Sequence, residues 1–321
     1  MTEAAIDWMD DRLAAAGIVR TGPVPEPRVR AWGTVLTAPT DRGPVWLKAP
    51  GPRTVFEVGL YEVLAAAVPD RVLTPIAADT ERGWLLLPDG GPTLGGDLDT
   101  VLSGLAEVLP RYAVLQRDLS SHVDSMLAAG VTDMRPTAMP ARFDEAVEVA
   151  RSRADHPADA AAIDAVVALR PEFLTWCDRL AASPVPASLD HNDLHPRNVL
   201  VKDAGAIDGA RFFDWGDSVV AHPFASLLVP LRYMQAVLGV AVDDPALLTI
   251  RDAYLEVYGD LGSPATLVEE LELACHVGKV ARALVWHRAL AMQGDEPTEF
   301  ASAPFEWLAE VLVESYLGSL D

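Results

Sequence analysis

Between Asp190 and Asn198 the chain reads DHNDLHPRN, which holds two Asp, two His, two Asn and one Arg, and then runs into Val199-Leu200-Val201. A second polar group, Asp214-Trp215-Gly216-Asp217, follows Phe212-Phe213. These residue types suit phosphoryl transfer, which asks two things of a protein. A carboxylate must lie within hydrogen-bond reach of the attacking hydroxyl, and Asp193 is the candidate. Hard oxygen ligands must hold Mg²⁺ beside a polyphosphate, and Asn198 and Asp214 offer an amide oxygen and a carboxylate. A second chemistry competes for the same residues: His191, Asp193, His195, Asp214 and His222 together would suit a zinc hydrolase. Taken singly, His195 and His222 read as structural histidines. Asp217 reads equally as a second cation ligand or a helix cap.

For the phosphoryl reading, Asn198 and Asp214 must meet in space. Two β-rich runs, Asn198–Lys202 and Ala210–Phe213, flank Asp203-Ala204-Gly205, so a hairpin would start one strand at Asn198 and end its antiparallel neighbour at Asp214. Helical spacing surrounds this hairpin. It covers Leu98–Leu127 (broken or kinked at Pro110), Pro140–Arg153, Ala158–Leu169 and Pro171–Ala182. It resumes over Pro223–Leu238, Pro245–Tyr258, Pro264–Met292 and Pro304–Leu320, several opening with Pro in the first turn.

The first hundred residues alternate instead. Val29–Pro39 and Pro44–Ala49 predict one hairpin, Val72–Ala78 and Trp84–Leu87 another, with a helix over Thr54–Val68 between them. Pro88-Asp89-Gly90-Gly91-Pro92 then breaks the pattern. The expected fold class is α+β in two lobes. Residues 1–91 form a small antiparallel-sheet N-lobe for nucleotide, and residues 92–321 a larger, mainly helical C-lobe with the catalytic loop and acceptor site.

The spacing His191-x-Asp193-x-x-x-x-Asn198, followed by Asp214-Trp215-Gly216, is that of a kinase catalytic loop and its metal-binding triplet. HNDLHPRNVL and FFDWGD resemble the aminoglycoside phosphotransferase family, whose members commonly read H-G-D-L-H-P-x-N here and share the protein-kinase-like fold. The resemblance covers the chain from about Val29 to its end, and its specificity lies in these two motifs. It implies transfer of the γ-phosphate of ATP or GTP to a small-molecule hydroxyl. By position, Asp193 would be the catalytic base, Asn198 and Asp214 the Mg²⁺ ligands and His191 a brace for the loop. His195, Arg197 and Asp217 are candidate supporting residues on their own chemistry, outside that resemblance.

The same resemblance implies a lysine for the phosphates. Lys48 is the only lysine before Lys202 and falls in a β-rich run. Its expected partner is Glu57 or Glu62, and Glu57 is preferred because it lies near the start of the helix, where that glutamate usually sits in proteins this one resembles. Three positions depart from the pattern. Trp32-Gly33-Thr34 stands where G-x-G-x-x-G is usual, Asn192 replaces the Gly after His191, and Arg197 replaces a small residue before Asn198.

Composition narrows the partners. The net charge of −22 speaks against nucleic acid. Residues 1–95 hold 12 acidic and 9 basic residues and the rest 35 and 16, so an acidic C-terminal part would draw cationic small molecules or serve equally as a solvated surface kept for solubility. The family resemblance implies an acceptor such as an antibiotic or amino sugar. The two cysteines, Cys177 and Cys275, sit in apolar helical patterns, as free thiols of a reducing cytoplasm would. The N-terminal sequence lacks the marks of a signal peptide, and no apolar run is long enough to span a membrane. A third reading, a nucleotide-binding pseudokinase, has Asp193, Asn198 and Asp214 together against it.

Overall fold

The computed structural model describes residues 2–30, 32–153, 157–202, 207, 209–291 and 300–319. The N-terminal lobe is a five-stranded antiparallel sheet of β1 (Arg28–Arg30), β2 (Gly33–Thr40), β3 (Gly43–Pro50), β4 (Ala77–Asp79) and β5 (Trp84–Pro88), ordered β1-β2-β3-β5-β4. Alternation along the strands buries Leu36, Ala38, Val45, Leu47 and Leu86 on one face. Helix α1 (Thr2–Ala15) lays Ala5, Trp8, Met9 and Leu13 over that face. Lys48, next to Leu47, therefore points to the opposite side, where α2 (Phe56–Ala67) lies. Helix α2 buries Phe56, Glu57, Val58, Leu60, Tyr61 and Leu64, and its apolar residues belong to the large core of the second lobe.

Two expectations change here. The run Val29–Pro39 is two strands, because the chain turns at Trp32 and Gly33. A Cβ at Gly33 would stand 2.9 Å from the Ala49 carbonyl oxygen, so only glycine fits the close return of β2 onto β3. The run Val72–Ala78 is a strand only from Ala77; Val72 instead bridges in parallel to Phe212, which ties the lobes together.

The second lobe comprises α3 (Leu98–Leu119), α4 (Val123–Ala128), β6 (Thr132–Asp133), α5 (Met139–Arg153), α6 (Pro157–Ala181) and β7 (Ser188–Asp190). The hairpin β8 (Val199–Leu200) and β9 (Arg211–Phe212) follows, then β10 (Val219–Ala221), α7 (Leu228–Leu238), α8 (Pro245–Glu256), α9 (Pro264–Leu290) and α10 (Ala303–Ala309). Neither internal proline breaks its helix. Helix α3 passes through Pro110, and the chain turns only at Ser120–His122, where the Ser120 hydroxyl donates to the Arg117 carbonyl at 2.6 Å. Helix α6 runs through Pro171 as one piece, since Ile163, Val166, Phe173, Cys177 and Leu180 all pack into one core and outweigh one lost backbone bond.

The run expected from Pro223 begins as a 3-10 turn, Pro223–Leu227, before α7. The last expected helix stops at Ala309: the Lys279 ammonium takes the carbonyls of Glu310 and Ser315 at 3.0 and 2.8 Å, acceptors a continuing helix would need for itself. Met292, Leu320 and the turn Asp203-Ala204-Gly205 lie outside the described residues.

The segment Pro88–Pro92 is laced onto the β8–β9 hairpin. Val201 N–H donates to the Pro92 carbonyl at 2.9 Å and Leu94 N–H to the Val199 carbonyl at 2.8 Å. A side chain at Gly90 would collide with Leu200, which explains the glycine. A second small sheet sets β10 between β6, in parallel, and β7, antiparallel, so the loop leaving β7 at Asp190 starts from a fixed, buried base.

Candidate functional site

The loop after β7 is held by buried polar groups. Asp190 accepts from the Asn192 N–H and the Ser226 hydroxyl, both at 2.8 Å, and from the Asn192 side-chain amide at 3.1 Å. Burial raises its pKa above the usual carboxylate range, with those hydrogen bonds opposing. Asn192 has φ of 59°, a left-handed conformation that Gly and Asn tolerate best, which accounts for Asn where Gly is usual. The His191 ring is buried, 4.7 Å from the Trp215 ring, and its Nε2–H donates to the Phe213 carbonyl at 2.9 Å. Burial lowers its pKa, which keeps it neutral. Tyr112 fixes the same turn by accepting the His191 N–H at 3.0 Å.

At the loop apex, Asp193 accepts from the Arg282 guanidinium at 2.8 Å, and the Asn198 amide donates to its carbonyl at 2.9 Å. His195 brings Nε2 to 3.4 Å from the other Asp193 oxygen, its Nδ1 being engaged by the Arg197 N–H. Burial opposes ionisation of Asp193, but Arg282 and His195 overcome it and hold the carboxyl well below the usual range. Because Asn198 uses its amide nitrogen on Asp193, its side-chain oxygen is left to act as an acceptor or ligand. Arg197 is exposed, and among the described residues only its backbone N–H is engaged.

Asp214 stands across from this apex with φ of 65°, a conformation that turns its carboxylate toward β3. The Lys48 ammonium lies 2.5 Å from Asp214 and 2.7 Å from Glu57. Burial works against its charge, yet the two carboxylates raise its pKa well above the ordinary lysine value. Lys48 in turn lowers the pKa of Asp214. Glu57 is fully buried and also accepts the Trp215 N–H at 3.1 Å, whereas Glu62 is exposed. That decides between the two glutamates as partner of Lys48. A side chain at Gly216 would meet Glu57 at 3.3 Å, so a glycine lets the loop approach the pair.

Lys48, Glu57, Asp193, Asp214, Gly216, Asp217 and Arg282 thus line one cleft of about 160 Å³, with Trp32 and Trp286 at its sides. Asn198 touches it through Asp193. Asp217 sits 3.4 Å from Arg282, and burial pushes its pKa up to about 6. As donors for a cation the site offers the Asp214 carboxylate and the Asn198 amide oxygen, hard oxygens of the kind that suit Mg²⁺. Among the described residues no cluster of three or more His, Cys, Asp or Glu side chains is arranged to hold a metal by itself. His222, counted in the zinc set, is buried against Phe224, accepting its N–H at 3.4 Å.

Sequence reasoning missed Arg282. Its signal was present: Arg282 and Arg288 interrupt the apolar stretch Val280–Leu290 in α9, and a charge buried in such a stretch demands a partner.

Known proteins resemble this chain in family and in fold. The chain belongs to the Phosphotransferase enzyme family (APH), whose model matches residues 3–265, and is therefore a small-molecule kinase with a hydroxyl acceptor. That membership overturns the hydrolase alternative. No curated protein matches the sequence. Among solved structures, a macrolide 2'-phosphotransferase type I superposes with a TM-score of 0.59 at 17% identity, covering 96% of this chain and 98% of that one. The choline kinase LicA from Streptococcus pneumoniae gives 0.59 at 13%, covering 95% and 97%. A point mutant of the aminoglycoside 2'-phosphotransferase-IIIa, in complex with GDP, gives 0.56 at 15%, covering 96% and 97%. The shared fold is the protein-kinase-like one.

Proposed function

We propose that this protein transfers the γ-phosphate of ATP or GTP to a hydroxyl of a small, cationic molecule such as an antibiotic or amino sugar. The observation that carries the reading is the ion-pair bridge Glu57–Lys48–Asp214 in the same cleft as Asp193 and Asp217. Residues 1–91 contribute Lys48 and Glu57 on the nucleotide side, and residues 92–321 contribute the rest. Lys48 neutralises phosphate oxygens while Glu57 orients it. Asp193 accepts the hydrogen of the attacking hydroxyl and aims that oxygen in line, and Arg282 fixes the carboxylate's position. Asn198 and Asp214 would hold Mg²⁺, which supplies further charge neutralisation on the polyphosphate. His191 and His195 brace the loop, Asp217 steadies Arg282, and exposed Arg197 is free to meet a phosphate. The acidity of the C-terminal part favours a cationic acceptor through its long-range field.

The test is nucleotide consumption with ATP and GTP, at varied magnesium, against panels of aminoglycosides, macrolides, amino sugars, choline-like amines and peptide antibiotics. A phosphorylated hydroxyl in the product, seen by mass spectrometry and lost in Asp193→Asn, is the expected result. Stoichiometric acceptor cleavage without nucleotide would overturn the reading.

A further inference from the structure

A cavity of about 630 Å³ lies beside the transfer cleft and shares Val285 with it. Its walls come from α5, β6, the turn after α4, the segment before α2, and the side of α9 that carries Leu284 and Arg288. Its charges are not balanced. The acids it contains are already engaged: Arg135 grips Asp133 at 2.7 and 2.9 Å, and Arg142 holds Glu145 at 2.7 Å. Two guanidiniums are left over. Arg53 is exposed at the rim, with no hydrogen bond or ion pair among the described residues. Arg288 lies over the Phe56 ring at 4.8 Å and donates to Thr132 Oγ1 at 3.2 Å and to the Gly216 carbonyl at 3.1 Å. No carboxylate lies within ion-pair distance of it among the described residues, Asp217 acting on it only from farther off, and its Nε is buried without a partner.

Unmatched arginines facing one cavity are the reverse of what a chain of net charge −22 would place by chance. We propose that this cavity is a binding site for an anionic group, a carboxylate or phosphate, carried by a partly apolar small molecule. The planar fork of arginine pairs with both groups through charge-assisted hydrogen bonds. Leu127, Val131, Met134 and Leu284 give the body of the ligand an apolar wall. Occupancy would be felt in the transfer cleft, because Arg288 touches the Gly216 carbonyl and Phe56, the first residue of the helix that carries Glu57. The anion belongs either to the acceptor itself or to a separate effector, and only this last distinction rests on the proposed transfer reaction.

The experiment titrates sulfate and benzoate into the full chain saturated with Mg²⁺ and a non-hydrolysable ATP analogue, so that all the phosphate positions of the cleft are filled, and follows binding by calorimetry. Arg53→Glu keeps the fold, since that side chain is exposed and unengaged, and should weaken binding by about tenfold or more. Arg288→Lys, which keeps the charge and loses the fork, should fall between. Equal affinity in the parent and Arg53→Glu, or no binding up to about 50 mM, overturns the site. Asp193→Asn should leave these titrations unchanged, so failure of the transfer reading and failure of the site are separately visible. If the acceptor supplies the anion, Arg53→Glu raises KM for acceptors that carry a carboxylate or phosphate beside their cationic group and spares KM for nucleotide. If an effector supplies it, sulfate or benzoate alters turnover of a neutral acceptor in the parent and not in Arg53→Glu.

Discussion

Asp193 stands between two opposing demands. Arg282 holds it ionised and correctly aimed, yet the same ion pair makes it a weak base. Its role is therefore chiefly to accept and orient the hydroxyl while the transition state forms, the loose bond-breaking of phosphoryl transfer needing little proton abstraction early. Asp193→Asn should keep nucleotide affinity while turnover drops by about two orders of magnitude or more, measured in a coupled assay. Asp217 makes a separate prediction. Burial raises its folded pKa to about 6, above the unfolded value of about 3.9. Its contribution to stability is thus full below the unfolded value and is lost as pH rises through about 6. Denaturant midpoints of the parent should carry a downward component between about pH 4 and pH 6 that disappears in Asp217→Asn.

At the scale of elements, α1 is the cover of the sheet that presents Lys48. Trp8 is 7% exposed and stands edge-on to Trp84 at 5.6 Å. Trp8→Ala should cost about 3–5 kcal/mol in a denaturant titration, because the surrounding strands cannot collapse into the space of an indole. Turnover per folded molecule should change little, since Trp8 is on the face away from the cleft. Helix α9 is the counterpart in the other lobe. Arg282, Val285, Trp286 and Ala289 face the cleft, and Leu284, His287 and Arg288 face the neighbouring cavity, as the helical repeat requires.

The two lobes are joined by ion pairs, hydrogen bonds and packing. Lys48 from β3 meets Asp214 from the far lobe, and α2 buries its apolar residues in the second lobe's core. Lys48→Met should raise KM for nucleotide and reduce turnover by at least about tenfold, while also lowering stability, since Glu57 would be left buried without its cation. Asp214→Ala should abolish the magnesium dependence of nucleotide binding in calorimetry, because this carboxylate is the only anionic protein ligand proposed for the ion. Retention of parent-like Mg-ATP binding would remove Asp214 from that role.

The chain's own order of residues determined the candidate chemistry. The loop from His191 to Asn198, the triplet at Asp214 and the single early lysine are local or compositional signals, and each element around them carries its own periodicity. Helix ends and turns were less legible. Pro110 and Pro171 read as breaks because local propensity favours them there, but burial on both sides of each proline outweighs one missing hydrogen bond. Choosing Glu57 over Glu62 by burial needed the fold, since both lie on the same helix and only its packing against the loop after Asp214 buries one of them. The partners of Arg282, Arg53 and Arg288 were decided by tertiary structure: two arginines inside the apolar run of α9 are visible in the sequence, but only the packing of α9 against the lobe junction brings them to the cleft and the cavity beside it, and only the turn before α2 sets Arg53 at that cavity's rim.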